Sequence, residues 1–304
     1  MKARVISKIA LGTVQWGMPY GIANSSGQPD LEMVRQILDL AARSGIETLD
    51  TARTYGTSEA VIGEIISELR TPFRVVTKLS PDIYEVGLTK SEVLERCKKS
   101  VEESLKSLRM HQIDTLLLHR GFHKDIGNGF IWEYLLQLKE NGVVKHIGLS
   151  AVNPVEAMDA LKGLKIDLIQ VATSLLDQRL LRLGFFSMAH ELGIEVHVRS
   201  LFLQGIAFLD KRKLPPKMHI LKPKLDMIEK LAVENSIDPA LIWLDFASRL
   251  VANKLILGCE KEIQLAKSLE WILELPIDPG IYQSLEVEDF PDSILDPSLW
   301  SSLG

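Results

Sequence analysis

The feature that most constrains the fold is an alternation of short β-branched runs with longer amphipathic segments, repeated about eight times along the chain. Short apolar runs bounded by polar residues are typical of buried strands, and apolar residues spaced by three and four are typical of helices. The predicted strands are residues 8–14, 46–50, 73–78, 113–119, 144–150, 168–172, 195–199 and 254–257. The predicted helices are residues 31–44, 58–69, 90–108, 130–141, 154–161, 180–192, 239–251 and 262–273.

Eight strand–helix units are the number that closes one barrel. We therefore predict an α/β fold, a (β/α)8 TIM barrel that forms a single domain over residues 1–304. The alternative is an open doubly wound sheet, which usually has fewer strands and whose Gly-x-Gly-x-x-Gly turn is missing after the first strand. Asp30, Ser58 and Asp238 stand where helix N-caps are expected.

Three irregular stretches and a tail interrupt the alternation. The stretches are residues 16–28, 121–129 and 202–221, which follow the first, fourth and seventh strands. Long loops at these positions of a barrel normally carry ligand contacts. Prolines break up residues 274–304, whose apolar anchors Phe290, Leu295 and Trp300 predict a tail along the barrel surface or over its mouth.

Composition excludes several classes of function. The net charge of −5 and the lack of a Lys/Arg-rich tract argue against a nucleic-acid partner. No apolar run approaches a membrane span, and residues 1–11 are too polar and short for a signal peptide. Cys97 and Cys259 have no metal-binding spacing. We expect reduced thiols, no metal, no membrane contact and a cytoplasmic location.

Ionisable groups end three successive predicted strands. Asp50, Lys78 and His119 close the second, third and fourth strands, and Tyr55 follows Asp50 by five residues. Because the carboxyl ends of barrel strands form the mouth where ligands bind, these four side chains are expected at one rim. Each alone has an ordinary structural explanation, such as packing or turn capping. Their occurrence together on neighbouring strands favours a site.

The four residue types suit proton donation to a carbonyl oxygen while a hydride reaches its carbon. A free phenol has a pKa of ~10 and is a poor acid at neutral pH. A neighbouring ammonium such as Lys78 favours the phenolate form, and a buried carboxylate such as Asp50 would keep Lys78 charged and fixed. His119 would hydrogen-bond the carbonyl oxygen and orient the substrate.

The motifs that contain these four residues resemble those of the aldo-keto reductase family. Residues 49–59 match its Asp-Thr-Ala-x-x-Tyr-Gly-x-Ser-Glu signature, which is highly specific. The shorter similar motifs are Leu11-Gly12-Thr13, Val76-Thr77-Lys78, Leu116-Leu117-Leu118-His119-Arg120, Ile147-Gly148-Leu149-Ser150 and Asp167-Leu168-Ile169-Gln170. The resemblance covers about residues 9–270. It implies a barrel that binds NADPH, with NADH possible, and a small-molecule carbonyl substrate. It also implies Asp50, Tyr55, Lys78 and His119 as the catalytic tetrad, with Tyr55 as general acid.

The resemblance implies a cofactor site that the chain matches incompletely. Its residues would be Gly12, Thr13, Asp50, Ser150, Gln170, Arg199, Ser200, Gly258, Glu260, Lys261, Gln264, Lys267 and Ser268. Ser150 and Gln170 stand where the family holds the nicotinamide carboxamide, but the following Asn is here Ala151. Arg199 replaces an aromatic residue that stacks on the nicotinamide in many members. Its guanidinium would either stack there, where its charge disfavours the oxidised cofactor, or turn away to a phosphate or a carboxylate.

The adenosine-phosphate motif after the eighth strand also departs from the family pattern. Gly258 and Gln264 match, whereas a basic residue has become Glu260 and an Asn has become Ser268. Lys261 and Lys267 would still neutralise a 2′-phosphate at the start of a helix. A carboxylate at position 260 instead suits a ribose with free hydroxyls, so the preference between NADPH and NADH is open.

The substrate site is expected to include Tyr55 and His119, with walls drawn from the loops. The wall candidates are Trp16, Met18, Tyr20, Phe122 and Phe202. Two alternative functions remain at the level of sequence. One is an aldolase-type barrel with Lys78 as a Schiff-base nucleophile, and the other is a regulatory subunit that binds the cofactor with little turnover. No pattern in the sequence specifies an oligomeric state.

Overall fold

The computed structural model describes residues 5–69, 71–283, 285, 289–296 and 299–300. Its centre is a closed barrel of eight parallel strands in sequence order, in which the last strand pairs with the first. The strands are β1 Ile9–Gly12, β2 Thr48–Asp50, β3 Arg74–Lys78, β4 Ile113–Leu118, β5 Val144–Ser150, β6 Leu168–Ala172, β7 Glu195–Arg199 and β8 Lys254–Gly258. The predicted (β/α)8 barrel is confirmed.

Helices of seven or more residues surround the barrel. They are α1 Leu31–Arg43, α2 Ser58–Leu69, α3 Lys90–Leu108, α4 Phe130–Glu140, α5 Pro154–Ala160, α6 Phe185–Glu191, α7 Lys222–Glu234, α8 Pro239–Ser248 and α9 Glu262–Glu274. The Asp30 and Asp238 carboxylates accept backbone N–H groups at the starts of α1 and α8, as predicted. The prediction for Ser58 was wrong, because its hydroxyl donates to the Thr13 carbonyl oxygen.

Three elements differ from the predicted pattern. Strand β1 is shorter than expected, and the chain turns at once into the single-turn helix Val14–Gly17. The predicted helix 180–192 is split at Gly184, whose φ of 69° cannot continue a right-handed helix. Helix α7 was not predicted; its second residue is Pro223, which a helix tolerates in its first turn.

The tail packs against the outer helices through buried apolar residues. Ile277 and Ile281 are buried, as are the predicted anchors Phe290 and Leu295. The Tyr282 hydroxyl donates to the buried Asp245 carboxylate on α8 at 2.8 Å. Residues 284, 286–288, 297–298 and 301–304 of the predicted tail, with Pro297 among them, lie outside the described residues. Within the described residues, no helix is both long and apolar enough to cross a membrane.

Candidate active site

The site is built on a buried ion pair at the carboxyl ends of β2 and β3. Lys78 is 1% exposed and Asp50 is 4% exposed. The Lys78 ammonium donates to the two Asp50 carboxylate oxygens at 2.9 and 3.0 Å and to the Thr51 carbonyl oxygen at 2.8 Å. Burial opposes this charge, but the attraction of Asp50 and then of Tyr55 outweighs burial and raises the pKa of Lys78. Lys78 is therefore a fixed cation.

Tyr55 and His119 stand above this pair. The Lys78 Nζ lies 5.1 Å from the centre of the Tyr55 ring, and the His119 ring meets the Tyr55 ring edge-on at 6.0 Å between centres. Burial, followed by the charges of Lys78 and Arg120, lowers the pKa of His119 to about 3. The imidazole is neutral at pH 7. The structure thus brings together all four residues of the predicted tetrad.

Two glycines allow the Tyr55 loop to pack closely against the β1 loop. A Cβ atom on Gly17 would lie 1.8 Å from the Tyr55 carbonyl oxygen, and one on Gly56 would lie 2.2 Å from the Gly17 carbonyl oxygen. The Thr57 N–H also donates to the Gly17 carbonyl at 3.2 Å. Any side chain at either glycine would displace Tyr55. Sequence reasoning missed Gly17, although the neighbouring aromatic residues drew attention to this loop.

Ser58 and Glu59, at the end of the signature motif, anchor the same loop through buried hydrogen bonds. Ser58 donates to the Thr13 carbonyl at 2.9 Å, which connects α2 to the residue after β1. The buried Glu59 carboxylate accepts from the Thr77 hydroxyl at 2.6 Å, which connects α2 to β3. These buried hydrogen bonds explain why Ser and Glu follow Tyr55 at this spacing.

Gln170 and Ser150 lie side by side on β6 and β5. The Gln170 amide nitrogen donates to the Asp50 carboxylate at 2.7 Å. Its amide oxygen is buried and has no hydrogen-bond partner among the described residues. Buried polar atoms are rarely left unpaired in native proteins. An acceptor held beside Asp50 therefore fits the N–H groups of a carboxamide.

The start of α9 has an arrangement that the sequence motif did not predict. The Gln264 amide oxygen accepts the backbone N–H groups of Glu260 and Lys261, and its nitrogen donates to the Glu260 carboxylate at 2.7 Å. The Gln15 side chain lies over Gly258, and its amide oxygen is buried without a partner in the described part of the chain. Gln264 thus caps the helix, and Gln15 is a rim residue that sequence reasoning missed.

The two predicted phosphate-binding lysines have different surroundings. Lys267 forms an ion pair with Glu270 at 3.0 Å, and the Ser268 hydroxyl donates to the Gln264 carbonyl one turn away. Lys261 has no carboxylate within 4.0 Å among the residues described. The structure therefore leaves Lys261 as the more available cation at this edge.

Arg199 lies at the end of β7 and is partly buried. Its guanidinium donates to the carbonyl oxygen of Ala151 at 3.1 Å, and no carboxylate of the described residues pairs with it. Its charge also acts on the Lys78 and His119 side chains. Arg199 therefore belongs to the mouth and is not turned away to an acidic group. The following Ser200 has a φ of 62°.

The residues predicted to form the pocket walls are partly exposed at the rim or buried beneath it. Tyr20 is 38% exposed and Phe122 is 48% exposed, and the Tyr20 hydroxyl accepts from the Gln204 amide at 2.7 Å. Met18 is also exposed, whereas Phe202 is partly buried against Phe208. Trp16 does not line the pocket as predicted. Trp16 is fully buried. Its indole N–H donates to the Cys259 carbonyl oxygen at 3.0 Å, which ties the β1 loop to the end of β8.

The sequence profile of the Aldo/keto reductase family matches residues 8–286 of the chain. The chain belongs to this family. Among curated relatives, it is 28% identical over 212 residues to the chloroplastic pyridoxal reductase of Arabidopsis thaliana, with 63% of this chain and 55% of the relative covered. It is 28% identical over 218 residues to an NADH-specific methylglyoxal reductase of Escherichia coli, with 66% and 65% covered. The chain thus spans somewhat more than half the length of the relatives it matches.

Solved structures of this family share the barrel. The chain superposes on an aldo-keto reductase from Bacillus halodurans, in its holo form, with a TM-score of 0.72, 22% identity and 93% of both chains covered. For an aldo-keto reductase from Pseudomonas aeruginosa, the TM-score is 0.65 at 21% identity, with 88% of this chain and 90% of the other covered. These likenesses concern the fold. Within the described residues, no cluster of His, Cys, Asp and Glu is arranged to hold a metal ion.

Proposed function

We propose that this aldo/keto reductase converts an aldehyde or ketone to an alcohol, with hydride from NAD(P)H and with Tyr55 as the general acid. The observation that carries the proposal is the buried Lys78 ammonium, bonded to Asp50 and 5.1 Å from the centre of the Tyr55 ring. The two curated relatives described above are named for the reduction of pyridoxal and methylglyoxal, which both contain an aldehyde group.

A bound nicotinamide would supply the hydride that reaches the carbonyl carbon. Tyr55 gives its hydroxyl proton to the carbonyl oxygen as negative charge develops there. The Lys78 cation stabilises the charge left on the Tyr55 oxygen, and Asp50 keeps that cation in place. A positioned proton donor of this kind contributes roughly 10²–10⁴-fold to the rate.

His119 positions the substrate as a neutral donor. Its Nδ1 lies 3.3 Å from the Thr54 hydroxyl oxygen. If Thr54 donates to Nδ1, the proton of the imidazole is on Nε2, where it can hydrogen-bond the carbonyl oxygen. Because the pKa of His119 is lowered to about 3, the ring keeps this role over the whole neutral pH range.

The cofactor assignment rests on buried acceptors and on the edge formed by β8 and α9. Gln170 and Ser150 would hold the carboxamide, since the Gln170 amide oxygen has no partner in the described part of the chain. Gly12 and Thr13 lie next to Asp50 in the barrel. The adenosine half would lie along Gly258, Glu260 and α9. A carboxylate at position 260 supports use of NADH as well as NADPH, and one relative is named as NADH-specific.

The geometry disfavours the Schiff-base alternative. A nucleophilic lysine needs a neutral amine, which enzymes obtain by lowering the pKa. Here the pKa of Lys78 is raised, and its ammonium donates to three oxygen atoms of Asp50 and Thr51. The close grouping of Asp50, Tyr55, Lys78 and His119 supports turnover and disfavours the regulatory alternative.

The proposal is tested by following the absorbance of reduced nicotinamide with NADPH or NADH and a panel of aldehydes. We expect cofactor-dependent loss of absorbance and formation of the alcohol. Cofactor binding, followed by protein fluorescence, with no turnover of any aldehyde would favour the regulatory alternative. Trapping of a substrate adduct on Lys78 by borohydride, without added cofactor, would favour the aldolase alternative.

A further inference from the structure

Two partly buried arginines, Arg120 and Arg199, lie near His119 at the barrel mouth. Arg120 immediately follows His119 at the end of β4, and Arg199 ends β7. In the described part of the chain, neither guanidinium has a carboxylate within 4.0 Å. Arginine is seldom withdrawn from water unless its charge is compensated. Two such residues beside His119 provide positive charge that a bound anion can compensate.

The carboxylates of the tetrad edge are already engaged. Asp50 binds Lys78 and Gln170, and Glu59 pairs with Arg53. Glu260 lies at the β8 edge, where amides of Gln15 and Gln264 bond to it. Beside His119 the mouth therefore carries local positive charge, although the whole protein has a net charge of −5. A local reversal of sign of this kind attracts anions to a cleft.

The Arg199 guanidinium is also held in place. One of its terminal nitrogens donates to the Ala151 carbonyl oxygen at 3.1 Å and the other to the Ser200 hydroxyl at 3.5 Å, which together orient the planar group. Among the described residues, its N–H donors have no carboxylate partner. A guanidinium fixed in this way binds carboxylate or phosphate oxygens through two parallel hydrogen bonds. The charges of Arg120 and Arg199 both lower the pKa of His119, so both act on the position where the substrate carbonyl is expected.

We propose that the carbonyl substrate carries an anionic group, a carboxylate or a phosphate monoester, which binds Arg199 while Arg120 adds longer-range attraction. This inference rests on the proposed carbonyl reduction and defines the substrate class of that site. The aromatic rim residues Tyr20 and Phe122 would contact the part of the substrate between the carbonyl and the anion.

The test compares aldehydes with and without an anionic group. The pairs are 4-formylbenzoate with 4-formylbenzamide, and D-glyceraldehyde 3-phosphate with D-glyceraldehyde. We expect kcat/KM to favour the anionic member of at least one pair by about tenfold or more, which corresponds to about 1.4 kcal/mol. The pair with the larger ratio identifies carboxylate or phosphate as the preferred group. The ratio should also fall as ionic strength rises.

Arg199→Gln should bring that ratio close to one, and Arg120→Gln should reduce it less. Arg212→Gln, which changes an exposed arginine paired with Asp210, is the matched control and should leave the ratio unchanged. Equal kcat/KM for both members of each pair would overturn the proposal. It would also be overturned if Arg199→Gln weakened NADPH and NADH binding while leaving the substrate ratio intact, since Arg199 would then bind the cofactor.

A binding measurement separates this inference from the proposed function. Benzoate, phenyl phosphate and benzamide are titrated into the cofactor-loaded protein by calorimetry, with no turnover required. Tighter binding of benzoate or phenyl phosphate than of benzamide, lost in Arg199→Gln, supports the anion site even if no aldehyde is reduced. If neither anion binds more tightly than benzamide while neutral aldehydes are reduced, the reductase remains in place and the anion site is rejected.

Discussion

The two edges of the barrel mouth are built in different ways. At the β2–β4 edge, Lys78 and Asp50 are buried and bonded to each other, and each contacts further fixed groups. At the β8 edge, the half-buried Glu260 carboxylate accepts from the side-chain amides of Gln15 and Gln264, and the exposed Lys261 ammonium has no carboxylate within 4.0 Å among the described residues. Buried charges depend on their partners, whereas exposed charges exchange partners at little cost. The first edge tolerates little change in its residues, and the second can diverge.

This difference matches where the chain departs from its family. The tetrad edge retains the signature motif in full, while the positions of Ala151, Arg199, Glu260 and Ser268 differ from the common pattern. We infer that the chemistry is held constant at the β2–β4 edge and that ligand preference varies at the ends of β5 and β7 and along the start of α9.

Lys78→Met should be the most damaging change at the tetrad edge. It leaves the Asp50 carboxylate buried without its cation, and breaking a buried pair costs roughly 3–5 kcal/mol. It also removes the charge beside Tyr55, so turnover should be lost. Urea unfolding and steady-state kinetics measure the two effects. The double variant Asp50→Leu/Lys78→Met should recover part of the stability but no activity. Wild-type stability in Lys78→Met would contradict the pairing.

Tyr55→Phe should lower kcat by roughly 10²–10⁴-fold while the dissociation constant of the cofactor changes little. The phenol proton is needed only as charge develops on the substrate oxygen, so the loss falls on the chemical step. Tyr134→Phe, on α4 and away from the mouth, is the matched control and should behave as wild type. Equal turnover by Tyr55→Phe with a good aldehyde would exclude Tyr55 as the acid.

His123 should make the free energy of unfolding depend on pH. It is buried in the turn after β4, and neither ring nitrogen has a hydrogen-bond partner among the described residues. Burial, helped by Arg120, lowers its pKa to about 4, against ~6.5 in the unfolded chain. The unfolded state therefore binds more protons between pH 6.5 and 4, and the free energy of unfolding falls as pH is lowered through this window.

In His123→Leu, the decrease in the free energy of unfolding between neutral pH and pH 4 should be smaller than in wild type by roughly 2–3 kcal/mol. The measurement is the difference in the free energy of unfolding between pH 7 and pH 4.5 for wild type and variant. His111→Leu, at an exposed position, should keep the wild-type pH dependence. An unchanged pH dependence in His123→Leu would show that the His123 ring takes up a proton as readily in the folded protein as in the unfolded chain.

Glu260→Arg should have the smallest effect, because it lies at the exposed edge. It removes a carboxylate that repels a 2′-phosphate and adds a guanidinium fork that binds it. We expect the ratio of NADPH to NADH affinity to rise by about tenfold, or about 1.4 kcal/mol, with little change in stability. Fluorescence titration of both cofactors measures the ratio. Lys267→Gln is a useful comparison, since Glu270 already neutralises Lys267. An unaltered ratio in Glu260→Arg would show that residue 260 points away from the ribose.

Much of the fold was predictable, because hydrophobic period and strand length are local properties. The carboxyl ends of β2, β3, β5, β6 and β7 were predicted to the residue, which placed Asp50 and Lys78 at the mouth. Helix α7 and the break at Gly184 were missed, because mixed polar faces and a single glycine give weak local signals. Trp16 was assigned to the pocket because an aromatic residue in a loop looks the same in the sequence whether it is buried or exposed.

The sequence by itself determined the barrel, the membership of Asp50, Tyr55, Lys78 and His119 in one rim, and the departures from the family motif after β8. These follow from alternation and from the residues that end each strand. The tertiary structure alone decided which groups bond to one another. It showed the close approach of Gly17 to the Tyr55 loop, the unpaired Gln170 oxygen and the lack of an acidic partner for Arg199 among the described residues. Such contacts join positions far apart in the chain, so their distances and burial depend on how all eight units pack together.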